Sequence, residues 1–259
     1  MRVLVVGDVV GSPGRKTLYD YLEKFGKNYD FIVVNGENAA AGFGITAKIA
    51  DEFLEKGVDV ITSGNHIWDK KEIYEYLDGT TRLLRPVNYP EGVPGRGYTV
   101  VETKKGVKVG VVSVQGRVFM PPIDCPFKTM ARVVEEIRKE TNIIIVDFHA
   151  EATSEKISLG KYLDGSVSLL YGTHTHVQTA DETILAGGTG YMTDAGMTGS
   201  DAGIIGMEVD SIIPKFLTAL PHRFEIAKGK ERFNGLSVEI DEESGKCEKI
   251  ERINIPFIE

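Results

Sequence analysis

Cysteine is nearly absent. The 259 residues hold two, Cys125 and Cys247. They lie far apart, outside any CxxC spacing, so no disulfide framework is encoded and a reducing cytoplasm is the expected compartment. Long apolar runs are missing too. The opening run Val3 to Val6 is too short for a signal peptide, and no later run would span a bilayer, so no membrane partner is expected. Positive charge is in deficit: 30 Lys and Arg against 38 Asp and Glu give a net charge of −8. That balance repels long polyanions, so no long nucleic acid is expected as a ligand. A small phosphate ester is not excluded, because bound divalent cations reverse the sign at one spot. Internal repeats and low-complexity linkers are also lacking. One domain spanning residues 1–259 is the simplest organisation.

What is present is a rhythm of short apolar runs, each ended by polar residues. Val3 to Val6 reads as a buried strand ended by Gly7-Asp8, with a loop from Val9 to Arg15 and a helix from about Arg15 to Phe25. Phe31 to Val34 is the next strand, ended by Asn35-Gly36-Glu37-Asn38, and a helix capped by Thr46 follows. Val58 to Ile61 is the third, ended by Ser63-Gly64-Asn65-His66. Asp69 then stands as the N-cap of a helix to Leu77, with Glu72 completing a capping box. Repeated strand-loop-helix units imply a parallel sheet covered by helices.

After Leu77 the character changes. A Pro- and Gly-rich excursion to Gly97 leads to a hairpin, Tyr98 to Thr103 and Val107 to Val114, which opens a second, antiparallel or mixed portion. An amphipathic helix spans Phe127 to Lys139. A strand from Asn142 to Val146 is ended by Asp147-Phe148-His149, and another from Val167 to Tyr171 by Gly172-Thr173-His174-Thr175-His176. Asp194 to Gly206 reads as a long polar loop, Val209 to Leu220 as a helix kinked at Pro214, and the chain closes on a hairpin.

The residues that end the strands share one chemistry. Parallel strands present their carboxyl ends on one edge, so Asp8, Glu37, Asn38, Asn65, His66, His149, His174 and His176 can converge there. Four of the five histidines fall in these loops; only His222 lies elsewhere. Carboxylate, amide and imidazole suit a borderline divalent metal such as Mn, Fe or Zn, and no thiolate is among them. So many donors suit two ions sharing a bridging carboxylate, the arrangement that clamps an in-line displacement at phosphorus. Asn65 reads as a metal ligand and His66 beside it as a proton donor. Each feature alone has an ordinary reading: Asp8 as a turn residue, Glu37-Asn38 as turn chemistry, His149 as a satisfied buried histidine. His174 and His176 are stronger, because alternate residues of an extended segment point the same way.

At these residues the sequence resembles the calcineurin-like metallophosphoesterase superfamily, in Gly64-Asn65-His66, in His149 and in Gly172 to His176. It departs from the common pattern twice. Asp8-Val9-Val10 lacks the usual histidine, and Glu37-Asn38 stands where an aspartate is expected. Both departures are similar to the YmdB-like branch, as are Gly7 to Gly11, Asn35 to Asn38, Gly64 to Asp69, Gly172 to His176 and Thr193 to Met197. The resemblance implies an α/β fold, a four-layer α/β/β/α metallophosphoesterase sandwich with two mixed sheets. It implies phosphodiesterase activity, typically on 2′,3′-cyclic nucleotides. It also implies a ligand set, with Asp8, Glu37, Asn38 and His176 on one ion, and Glu37, Asn65, His149 and His174 on the other. Replacing imidazole by the Asn38 amide favours Fe or Mn over Zn.

The reaction expected is attack on phosphorus by hydroxide held at both ions, with His66 protonating the leaving alkoxide. The partner expected is a small phosphodiester such as a cyclic nucleotide, and homo-oligomerisation is left open. Ser12, Arg117 and Thr198 are candidates to line the substrate pocket. The alternatives are a phosphomonoesterase, an RNA nuclease, or a regulatory protein whose metal site is structural.

Overall fold

The computed structural model of the chain describes residues 1–256, so the last three positions of the expected domain lie outside the described residues. Strand β1 (Arg2–Val6) runs almost directly into β2 (Asp8–Val9), and helix α1 (Gly11–Phe25) follows. The expected loop from Val9 to Arg15 is therefore mostly the first turn of α1. Pro13 fits there because the first turn needs no amide hydrogen from it. Next come β3 (Phe31–Asn35), α2 (Ala47–Glu55) and β4 (Val60–Thr62). Thr46 caps α2 as expected, its hydroxyl accepting from the Ile49 amide at 3.3 Å. A 3₁₀ turn over Asn65–Asp69 precedes α3 (Ile73–Gly79). The expected capping box is not formed. Glu72 sits at the start of α3 without a side-chain cap, and Asp69 has another partner, described below.

The second half begins with β5 (Tyr98–Glu102) and β6 (Lys108–Gln115), which form the expected antiparallel hairpin. Helix α4 (Pro126–Ile137), β7 (Ile144–His149), α5 (Thr153–Tyr162) and β8 (Leu169–Thr173) follow. Then come β9 (Thr183–Ile184), β10 (Gly190–Met192), β11 (Met197–Ser200), α6 (Val209–Thr218), β12 (Glu231–Ile240) and β13 (Cys247–Pro256). Strand β11 corrects the expected loop from Asp194 to Gly206. It lies parallel to β2, with Met197 opposite Asp8, and antiparallel to β12. Its short polar sequence carries no alternation signal, and pairing on both sides makes it a strand.

The strands form two mixed sheets. One has the order β2-β11-β12-β1-β3-β4 with β13 also paired to β12; the other runs β5-β6-β7-β8-β10-β9. Alternation along each strand sends its side chains two ways. Val3, Val5, Phe31 and Val33 of the first sheet meet Val109, Val111, Ile145 and Leu169 of the second. Leu4, Val6 and Val34 face away and pack on Leu18, Phe53 and Ile73 of α1–α3. Val112, Ile144 and Val146 pack on Met130, Val133 and Leu159 of α4 and α5. The layers are therefore α/β/β/α. Both faces of each central strand are buried, which explains their unbroken apolar runs. Among the described residues no helix is long and apolar enough to cross a membrane.

The two sheets meet at their carboxyl ends through polar contacts. The Asn35 amide donates to Asp147 Oδ2 at 2.8 Å, and the Ser113 hydroxyl donates to the Ser63 carbonyl at 2.7 Å. Strand ends from both halves are thereby locked beside one another.

Candidate metal centre

Glu37 stands in the middle of the strand-end loops and is 1% exposed. Its Oε1 accepts the His66 amide at 2.6 Å and its Oε2 accepts the Gly64 amide, so the loop after β4 is tied to the loop after β3. His149 Nε2 lies 3.4 Å from Glu37 Oε1. Gly64 is required here by close approach: a Cβ on it would sit 2.0 Å from His149 Cδ2. Asp8 is fully buried, with its Oδ2 accepting the His174 amide at 3.1 Å. Its Oδ1 lies 4.0 Å from His176 Nε2 and makes no hydrogen bond.

Several donors face one another with lone pairs rather than hydrogens. The Asn38 amide group donates to the Gly42 carbonyl at 2.8 Å, which turns Oδ1 inward, 3.2 Å from His176 Nε2. His176 Nδ1 donates to the Ile205 carbonyl at 3.1 Å, so Nε2 is the nitrogen left to act as a ligand. Asn65 Oδ1 is buried and, like Asp8 Oδ1, has no hydrogen-bond partner. Orphaned buried oxygens of this kind are costly unless something electropositive satisfies them.

His149 is oriented from behind by a chain of groups that the sequence motifs do not announce. Thr173 Oγ1 donates to Asp147 Oδ1 at 2.7 Å and lies 2.9 Å from His149 Nδ1. The threonine hydroxyl spends its hydrogen on Asp147, so it accepts from Nδ1. That fixes the ring with Nε2 pointing at Glu37 and at His174 Nδ1, 3.1 Å away. Asp147 also accepts from Asn35 and Thr62, and burial raises its pKa to about 6. The one signal in the sequence was a charged residue inside the apolar run of β7. Partners that orient a metal-ligating histidine are typically worth 10–100-fold in affinity. Thr173→Val is therefore expected to weaken metal binding by about 10–100-fold with the fold intact, as read by metal titration.

His174 and His176 both have positive φ, 95° and 66°. This corrects the expectation of an extended segment. The two rings reach the site from a tight left-handed turn, a conformation costing about 1–3 kcal/mol at each non-glycine residue. A buried ion pair supports it. Lys156 Nζ donates to Asp194 Oδ2 at 2.6 Å, with both side chains 1% exposed. The same oxygen accepts from the Thr175 hydroxyl at 2.7 Å and the Thr175 amide at 3.3 Å, while Oδ1 accepts from the Gly196 amide at 2.8 Å. Asp194 lies in the Thr193 to Met197 stretch, but its partner is not marked in the sequence, because a lysine in a helix reads as a solvated side chain.

His66 stands apart from the ligand cluster. Its Nδ1 is 2.8 Å from Asp69 Oδ2, so the aspartate expected to cap a helix instead holds the imidazole. Phe43 packs edge-on against the same ring, with centroids 5.0 Å apart. Asp69 engages Nδ1 and leaves Nε2 to exchange a proton. Loss of this orienter should matter, so Asp69→Ala is expected to lower turnover by about 10–100-fold with little change in metal content.

Charge in the cluster is concentrated. Burial pushes the Asp8 carboxyl up. Burial acts upward on Glu37 too, but the His149 charge and the His66 amide outweigh it and hold its pKa at about 2. For His149, burial acts downward and is outweighed by Glu37 and then Asp8, giving about 9. His174 is pushed down to about 3 by burial and by the His149 charge. Among the described residues no three His, Cys, Asp or Glu groups are placed so as to hold a metal ion; His174 contacts His149, and His176 contacts Asn38. The orphaned oxygens of Asp8 and Asn65, the inward Asn38 Oδ1 and the inward Nε2 atoms of His149 and His176 fit divalent cations with oxygen and imidazole preferences.

The substrate-pocket candidates lie elsewhere. Thr198 is fully buried and is bonded through its hydroxyl to the Asn234 backbone. Ser12 lines a separate cavity with Lys16, Lys228 and Arg232. Arg117 is exposed, its amide held by the Glu155 carboxylate. The cleft that does open on Glu37, Asn38, His66, His174 and His176 has a volume of about 330 Å³.

A family model described as YmdB-like protein matches residues 4–253. The chain belongs to the YmdB-like family. Among YmdB-like relatives, the 2′,3′-cyclic-nucleotide 2′-phosphodiesterase of Bacillus subtilis (strain 168) is 51% identical over 98% of this chain and 97% of its own length. The crystal structure of a protein from Thermus thermophilus superposes with a TM-score of 0.93, at 42% identity and covering 99% of both chains. That of a phosphatase from Mycoplasma pneumoniae gives 0.91, at 32% identity, covering 99% of this chain and 93% of the other. The YmdB-like match spans both sheets and every strand-end loop described above.

Proposed function

We propose that this chain is a dinuclear-metal phosphodiesterase that hydrolyses small phosphodiesters, 2′,3′-cyclic nucleotides first among them, with His66 as general acid. The observation that carries the reading is one buried cluster in which the orphaned oxygens of Asp8 and Asn65 and the Asn38 Oδ1–His176 Nε2 pair lie with the Glu37–His149 contact, while His66 is held outside it by Asp69. The Bacillus subtilis relative supports the substrate class by its name and its 51% identity.

Asp8, Glu37, Asn38 and His176 would hold one ion, and Glu37, Asn65, His149 and His174 the other, with Glu37 shared. Fe or Mn suits this oxygen-rich set better than Zn. When bound, two such ions make water nucleophilic near neutral pH and offset charge on the phosphoryl oxygens. The chain's own groups do the rest. Thr173 and Asp147 hold the His149 ring, Asp194 holds the His174–His176 turn, and His66 delivers a proton to the departing ribose oxygen. A ribose alkoxide is a poor leaving group, so a positioned acid is needed.

The test is a substrate panel: 2′,3′-cyclic nucleotides, linear dinucleotides and p-nitrophenyl phosphate, each with Mn and with a chelator. The cyclic diesters should be hydrolysed fastest, and only with metal. Preference for the monoester would make the chain a phosphomonoesterase. Preference for linear RNA would make it a nuclease.

A further inference from the structure

The 330 Å³ cleft has two unlike halves. One carries the metal-ligand candidates and His66, with Glu151 and Thr175 beside them and the Glu151 carboxylate 3.3 Å from His174 Nε2. The other is a wall of Phe43, Ile205, Met207, Ile212 and Phe224. Met207 and Ile212 are 7% and 6% exposed and form its floor, while Ile205 is half-exposed at the rim. Four of the five wall residues come from the segment around α6, between β11 and β12. That segment is fixed by bonds from the Glu208 amide to the Glu225 carbonyl, 2.8 Å, and from the Ala227 amide to the Gly206 carbonyl, 2.9 Å. The wall is joined to the chemistry at both ends. Phe43 packs edge-on against His66, and the Ile205 carbonyl accepts the Nδ1 hydrogen of His176.

We infer that this wall is the subsite for the nucleobase of a mononucleotide diester, and that it demands a base without reading which one. The inference rests on the phosphodiesterase reading above and adds what binds the rest of the substrate. A phosphodiester at the polar half places the attached group against the wall. Hydrocarbon and thioether side chains offer a base a large dispersive surface and no directional partner. Stacking or lying flat on such a surface is indifferent to base identity, since every base has an apolar face. The volume lies at the low end of small-molecule sites, which suits one nucleotide.

The decisive comparison is kinetic. The metal-loaded chain is assayed on the 2′,3′-cyclic phosphates of adenosine, guanosine, cytidine and uridine, and on methyl ribofuranoside 2,3-cyclic phosphate, which has the same reacting ring and no base. Expected values of kcat/KM for the four nucleotides lie within about tenfold of one another. They exceed the base-less diester by roughly 5- to 150-fold, the equivalent of one stacked base at about 1.4 kcal/mol per tenfold. Phe224→Ala should lose about tenfold on the nucleotides, mainly through KM, and distinctly less on the base-less diester. As a readout apart from turnover, calorimetric binding of adenosine 3′-phosphate should weaken in Phe224→Ala by a similar factor. Equal handling of base-bearing and base-less diesters, or equal losses on both in the variant, would overturn the inference and leave the phosphodiesterase reading standing. Turnover of neither diester by the metal-loaded wild-type chain would overturn both. A strong preference for one base would show that a polar reader, and not this wall, governs selection.

Discussion

His66→Ala should lose about 10²–10⁴-fold in kcat on a 2′,3′-cyclic nucleotide while keeping wild-type metal content. The geometry separates the two quantities. The His66 side chain is 2.8 Å from Asp69 and packs on Phe43, whereas only its backbone amide reaches Glu37. Alanine preserves that amide bond, so the carboxylate at the centre keeps its support. On the proposed mechanism, what is lost is the proton donor to the leaving oxygen. The loss should shrink on an ester with a good leaving group such as p-nitrophenol, which departs without protonation. A variant that loses metal together with activity would place His66 among the ligands instead.

Lys156→Met should lower stability by about 3–5 kcal/mol, because the Asp194 carboxylate is left as an uncompensated buried charge. For a chain of this size that corresponds to a fall of roughly 6–20 °C in the midpoint of thermal unfolding. Removing both charges in Lys156→Met with Asp194→Leu should recover most of that stability, since a buried pair contributes little net over apolar replacements. It should not recover metal occupancy. The Thr175 and Gly196 amides lose their acceptor, and the left-handed turn that carries His174 and His176 relaxes. Thermal unfolding and metal content measured on the three proteins separate the two effects. Full metal occupancy in the double variant would make the pair a stabilising contact with no role in positioning.

Much of this site was legible because strand ends announce themselves. An apolar run that stops at Asp8, at Glu37-Asn38 or at Asn65-His66 marks both a strand and the loop that follows it, and parallel strands put those loops on one edge. The same apolar runs, with the amphipathic helices between them, implied a helix-covered parallel sheet and a second sheet, while the four-layer order came from the family resemblance. What stayed hidden was whatever depends on contacts distant in sequence. Asp69 looked like a helix cap because its spacing to Glu72 fits one, yet a ring nitrogen 2.8 Å away claims it. Strand β11 looked like a loop because pairing with β2 and β12 supplies what its four residues lack. Thr198 looked available for substrate because hydroxyls in glycine-rich segments often are, but it lies in that strand with its hydroxyl bonded to Asn234. Asp147, Lys156 and Asp194 are supports that act through a neighbour, and local spacing does not reveal such partners.

The most direct test of the two-ion account is metal stoichiometry and hydrolysis measured on one sample before and after chelation. The account predicts close to two divalent ions per chain, Fe or Mn above Zn, with activity on a 2′,3′-cyclic nucleotide that disappears with the metals and returns when Mn is restored. A single ion per chain at full activity, or hydrolysis that survives complete metal removal, would contradict it.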